Sequence, residues 1–201
     1  MSFPIRYAIA GAVLAVAAPA LAQSADPARA TVQTLDDGLI AIMKGGSSLG
    51  MQGRISKIGP VVDQTFDIPL ITRLSVGPDW TRVAPADQTA LVAAMRRMTV
   101  SQYATNFSSW AGHSITIDPA IETRGSDKLV RTSLSAPKDS PVAIAYRLRQ
   151  SGGKWRVIDV YYRNAISQLA TRRADFASVF AKGGAKALMA HLDALAAKSG
   201  R

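Results

Sequence analysis

Apolar residues recur along the first half of the chain at steps of three and four. In "TVQTLDDGLIAIM" (31–43), Val32, Leu35, Leu39 and Ile42 share one side, which predicts a helix. Gly45-Gly46 predicts its stop. "LGMQGRISKIGPVVDQTF" predicts a second helix, kinked or divided by Gly59-Pro60. The next stretch, "VVDQTFDIPLITRLSVGPDW" (61–80), is apolar at helical spacing but cut short by Gly77-Pro78. Asp67 has the side-chain oxygen needed to cap a short helix through Arg73, and Pro69 is tolerable in its first turn. The longest helix is predicted from Pro85 to Trp110, where Val92, Met95, Thr99, Tyr103, Phe107 and Trp110 form a stripe widened by Leu91 and Met98. Ala84 stands where a capping Ser or Thr is expected, a shortfall of about 1 kcal/mol.

From His113 the period changes to two. "SITIDPAIE", "KLVRTSLSA", "PVAIAYRLRQ" and "KWRVIDVYY" predict four strands. The turn-forming "PKDSP" and "QSGGK" make neighbouring strands antiparallel. Val142, Ile144, Tyr146 and Leu148 fall on one face of the third strand, Arg147 and Arg149 on the other, so one side of the sheet is greasy and the other wet. Two closing helices, about 164–181 and 184–198, are divided at Gly183-Gly184. Helices, then an antiparallel sheet, then helices again give an α+β layer or cone whose greasy sheet face the helices must cover.

The first 22 residues stand outside that pattern. Arg6, the twelve-residue apolar run "YAIAGAVLAVAA" and Ala20-Leu21-Ala22 read as a secretory signal peptide cleaved before Gln23. A membrane anchor is the weaker alternative, because spanning needs about 20 apolar residues and Pro19 interrupts the run. Residues 23–201 are then a single domain, long enough to bury a sizeable core. The chain has no cysteine, which excludes disulfides, thiolate metal sites and a lipidated cysteine. Export without an anchor points to the periplasm. Removing Arg6 from the formal charge of +10 leaves +9, which suggests an anionic partner. Nucleic acid does not fit an exported chain; anionic lipid at a membrane surface, met transiently, does. The cationic helices, with Arg96-Arg97, Arg172-Arg173 and Lys182, read first as a solvated face.

Catalytic chemistry is thinly represented. His113 and His191 are the only histidines, are far apart, and form no close-spaced metal pair. No nucleophile elbow, phosphate-cradling loop or dinucleotide fingerprint is present, so no catalytic residue, metal or cofactor is assigned. Asp159, inside an apolar strand, is read as a structural hydrogen-bonding group. The alternative is a proton acceptor with a raised pKa. Met95, Met98, Tyr103, Phe107, Phe176, Phe180 and Met189 suit either an ordinary core or the wall of an adaptable pocket, and periodicity does not separate the two.

Three segments carry a resemblance: "FDIPLITRLSVGPDW", "ADQTALVAAMRRMTVSQYATNF" and "WRVIDVYYRNAISQLATRRADF". In this order, over about 60–200, they resemble the MlaC / toluene-tolerance family of periplasmic lipid-binding proteins. Asp67, Arg73, Gly77 and Trp80 fit the first, Tyr103-Ala104 the second, and Trp155, Val157, Asp159, Val160 and Ser167 the third. The segment with Ala170, Arg172-Arg173 and Phe176 is most similar to the branch associated with hopanoid biosynthesis. Asn164 stands where the family usually has glycine, and Arg163 where it often has an acid; Asn is the next most tolerant of a left-handed backbone.

The resemblance implies an NTF2-like cone with a deep apolar pocket between sheet and helices. It implies a carrier, with no enzymatic activity, for a phospholipid or a hopanoid-like lipid. The expected partners are an inner-membrane lipid transporter complex and an outer-membrane complex. The short broken helix at 61–80 then reads as a movable wall. Expected lipid-binding residues are Ile68, Ile71, Leu74, Met95, Met98, Tyr103 and Phe107 on the helical side. The sheet is expected to supply Ile117, Ile144, Tyr146, Leu148 and Val160. Two rivals are an enzyme using Asp159 and a tyrosine on a hydrophobic substrate, and an interaction protein with a filled core.

Overall fold

The computed structural model describes residues 26–199; the expected signal segment lies outside them. Helix α1 spans Pro27–Thr65 and α2 Ile68–Val76, with a 3₁₀ turn over Gly77–Arg82. Helix α3 spans Pro85–Asn106. Strands β1 (Ser114–Arg124), β2 (Asp127–Ala136), β3 (Asp139–Ser151), β4 (Lys154–Tyr162) and β5 (Ile166–Ser167) lead to α4 (Gln168–Ser199). The five strands form one antiparallel sheet in the order β1-β2-β3-β4-β5. The sheet therefore has one strand more than the four expected. The added strand is only two residues long, too short for alternation to announce it.

Several boundaries move for identifiable reasons. The interruption expected at Gly45-Gly46 is present at Gly46 (φ 47°, ψ −133°), and a further one follows at Gly50 (φ 57°, ψ −177°), conformations that suit glycine. Gly59-Pro60 does not divide the helix. Pro60 lies within it, flanked by the buried Ile58, Gly59 and Val62, whose packing offsets the lost backbone bond. Asp67 caps α2, its Oδ1 accepting from the Leu70 amide at 3.0 Å, while Ala84 gives α3 no side-chain cap. Helix α3 stops at Asn106, so Trp110 leaves the stripe and stands 48% exposed. The last helix starts at Gln168 instead of 164, because Arg163 (φ 52°) and Asn164 (φ 57°) form a left-handed turn. Its expected division at Gly183-Gly184 is present.

One core joins the helices to the greasy sheet face. Val32, Leu35, Leu39 and Ile42 from α1 meet Leu91, Met95 and Met98 from α3, and Tyr146, Leu148 and Val157 from the sheet. Phe176, Leu188 and Leu192 close it from α4. At its outer end the sheet is tied by Asp127, whose buried carboxylate accepts from both Arg147 and Arg149 at 2.6 Å. The two guanidiniums hold its pKa below the ordinary carboxylate value despite the burial.

Candidate functional site: a cavity between sheet and helices

The core is not filled throughout. A cavity of about 540 Å³ opens between α3, the start of α4 and strands β2–β4, within the range of about 300–1,000 Å³ typical of ligand pockets. Its deep wall holds the buried Met43, Phe66, Ile71, Tyr146 and Ile158; its outer wall holds the exposed Asn106, Ser109 and Tyr162. On α3, Thr99, Gln102, Tyr103 and Asn106 follow one another at i, i+3, i+4 and i+7, a single helical stripe turned toward the space. Tyr103 stacks on Phe107 at 5.8 Å and tilts against Phe66 at 5.6 Å, which fixes the aromatic side of the wall.

The sheet side depends on a register shift. Strand β3 presents Val142, Ile144 and Tyr146 by simple alternation. In β4, Asp159 pairs with Arg147 but Val157 pairs with Leu148, so Ile158 is an extra residue. That bulge brings Ile158, Asp159 and Val160 all to the cavity wall.

Of the expected lipid-binding residues, the structure brings Ile71, Tyr103, Phe107, Ile144, Tyr146 and Val160 together on this wall. The other six lie elsewhere. Met95 and Met98 are fully packed one helical turn below Thr99 and Gln102, beyond the deep end. Leu148 is fully buried farther along β3. Ile117 belongs to edge strand β1, which pairs with β2 but supplies no residue to the cavity wall, and its carbonyl and that of Asp118 accept from Arg29. Ile68 turns to a shallow depression shared with Pro69, Val92 and Ala93. Leu74 is half-buried outside the wall. Helical periodicity marks the inward face but not its depth, so it does not separate packed residues from lining ones.

Sequence reasoning passed over the polar lining: Gln102, Asn106, His113, Gln168 and Arg172. Gln102 and Asn106 had a usable signal, as polar residues inside an otherwise apolar stripe. Arg172 had none, since one of two adjacent arginines looks like solvated surface.

Asp159 is built into the scaffold. Its Oδ1 accepts from the amides of Val160 (2.8 Å) and Leu169 (3.0 Å), and its Oδ2 from the Ser167 hydroxyl (2.6 Å). Ser167 in turn caps α4 through the Ala170 amide at 2.9 Å. One carboxylate thus pins β5 and the start of α4 beside the cavity. The other histidine, His191, lies on α4 beside Asp175 and edge-on to Phe176. Among the described residues no cluster of three or more His, Cys, Asp or Glu could hold a metal.

A second carboxylate, Asp36 of α1, is 3% exposed, and neither oxygen has a hydrogen-bond partner among the described residues. Burial, aided by the neighbouring charge of Asp37, raises its pKa to about 7. Burial also pushes the Tyr103 and Tyr146 hydroxyls above their ordinary range, with smaller contributions from Asp36 to both and from Tyr103 to Tyr146. Arg172 is half-buried on the wall, and desolvation lowers its pKa.

Fold and cavity together define a class: an α+β protein in which one face of an antiparallel sheet and a layer of helices border a cavity lined by apolar and polar side chains. A family model described as MlaC protein matches residues 33–194, and the chain belongs to that family. Among solved structures, the phospholipid-binding protein from Ralstonia solanacearum, in complex with a phospholipid, is similar with a TM-score of 0.73 and 26% identity. The match covers 88% of this chain and 100% of that one. No curated protein sequence matches the chain.

Proposed function

We propose that the protein is a periplasmic lipid carrier that holds the acyl tails of a phospholipid in the cavity and moves the lipid between membranes. The carrying observation is the cavity itself, lined mainly by apolar side chains with a smaller polar set, in a MlaC-family chain similar to a phospholipid-bound protein. The energetics give such a container a purpose. At ~0.8 kcal/mol per methylene, a sixteen-carbon tail carries on the order of 12 kcal/mol of water avoidance. A free lipid therefore seldom crosses an aqueous compartment, and a protein sleeve that replaces water around the tails removes most of that barrier.

In this reading residues 1–22 are a cleaved signal peptide and 23–201 form one lipid-binding domain, an NTF2-like cone around the cavity. The lipid passes between an inner-membrane transporter complex and an outer-membrane complex. Ile71, Tyr103, Phe107, Ile144, Tyr146 and Val160 contact the tails, and a hopanoid-like lipid is the alternative cargo suggested by the 166–176 segment. The binding reading is favoured over an enzyme because both oxygens of Asp159, the acid nearest the chamber, are engaged by the scaffold. The test is transfer of a self-quenched fluorescent phospholipid from donor to acceptor vesicles. Acceleration that scales with protein concentration is expected; a rate equal to the protein-free control would overturn the proposal.

A further inference from the structure

Among the described residues, Arg172 is the one Arg or Lys side chain that lines the cavity. Its hydrogen bond is a donation from Nη2 to Gln102 Oε1 at 3.2 Å. Among the described residues it forms no ion pair, whereas other arginines do: Arg96 with Asp63, and Arg147 and Arg149 with Asp127. The groups that act on it are Tyr103, whose hydroxyl stays protonated, and Asp159, whose oxygens are already engaged by the scaffold. A guanidinium carries five N–H donors, and a desolvated cation without a counterion raises the free energy of the fold. Its planar fork matches the two oxygens of a phosphate or carboxylate. Gln102, Asn106, His113 and Gln168 also line the cavity, so the chamber offers polar groups to a charged part of a ligand as well as Met43, Phe66 and Ile71 to hydrocarbon.

Resting on the carrier reading, we infer that Arg172 is an oxyanion anchor inside the cavity, and that the preferred cargo carries a phosphodiester or carboxylate next to its tails. A neutral polycyclic or diacyl lipid leaves the guanidinium unpaired and is bound less well. This selects an acidic lipid over an uncharged hopanoid-like one, and it depends on chemistry at Arg172 instead of on tail shape.

The experiment is displacement of the neutral probe N-phenyl-1-naphthylamine from delipidated protein. Dioctanoyl phosphatidylglycerol and dioctanoylglycerol, which share their tails, are the competitors. In the unaltered protein the phosphatidylglycerol midpoint is expected about tenfold below that of dioctanoylglycerol, the effect of one charge-assisted fork. Arg172→Gln brings the two midpoints within about twofold, Arg172→Lys retains part of the difference, and Lys182→Gln on the exposed face of α4 retains all of it. An undiminished preference in Arg172→Gln overturns the anchor and leaves the carrier reading standing. Failure of both lipids to displace the probe overturns the carrier reading, and the anchor with it. Inorganic phosphate, followed by calorimetry, should show no tight Arg172-dependent binding; such binding without tails would overturn the lipid-borne assignment. Far-UV circular dichroism and probe uptake establish that each variant is folded. Should Arg172→Gln fail to fold, the Arg172→Lys ratio decides: one equal to the unaltered protein's counts against the fork.

Discussion

Replacing Asp36 with asparagine should change how stability depends on pH. Among the described residues both Asp36 oxygens lack partners, in a site 3% exposed, and the folded-state pKa is about 7 against an ordinary 3.8. Between those values the folded chain keeps a proton that the unfolded chain has lost. The stability associated with this group is therefore fully present below pH 3.8, declines as pH rises, and levels off above about 7. At about 1.4 kcal/mol per pKa unit, the whole interval is worth about 4 kcal/mol, and the part between pH 5 and pH 8 about 3 kcal/mol. The other charged or titratable groups acting here are Asp37, Tyr103 and Tyr146, and the two tyrosines stay protonated over this range. Asparagine carries its own cost of buried, unpaired polar atoms, but that cost does not vary with pH. Urea unfolding of both proteins at several pH values isolates the effect. The stability of Asp36→Asn relative to the unaltered protein is expected to improve by about 3 kcal/mol from pH 5 to pH 8. A relative stability equal at both ends would refute a buried, unpaired acid at this position.

Asp127 should show the opposite sign. Its pKa is held down in the folded state, so its contribution is present above the ordinary value and lost as pH falls through the folded one. Asp127→Asn should cost about 1–3 kcal/mol in urea at pH 7, the range being modest because both arginines are about one-third exposed. Ser167→Ala removes the α4 cap and a donor to Asp159. A loss of about 1 kcal/mol is expected, with faster amide exchange confined to the first turn of α4 and to β5; uniform loss of protection would count against that local role.

How far the sequence reached depended on what each signal measures. The apolar stripes of α1 and α3, the alternation of β3 and the Asp67 cap are repeated or chemically distinct patterns, and each lies close to where its residues predicted. The Gly45-Gly46 pair marked a break that the backbone places at Gly46, whereas the second break at Gly50 had no such pair to announce it; Gly59-Pro60 does not divide the helix, because helix breaking is a local preference that buried neighbours override. The candidate site was legible by face but not by depth: Met95 and Thr99 occupy one stripe, yet one is packed and the other lines the chamber. Ile158 and Asp159 reach the wall only through a bulge. Arg172 is set apart from Arg173 by tertiary placement alone.

The central claim is that the chamber holds hydrocarbon, and native mass spectrometry of gently purified protein addresses it most directly when run beside an Ile144→Trp variant. Ile144 lies on the chamber wall in the middle of β3, so the larger ring occupies the space that the tails need. The unaltered protein should carry one co-purified lipid, identified after organic extraction, and the folded variant should be largely bare. A bare unaltered protein that takes up no lipid from vesicles, or an adduct of equal abundance in the variant, would contradict the account.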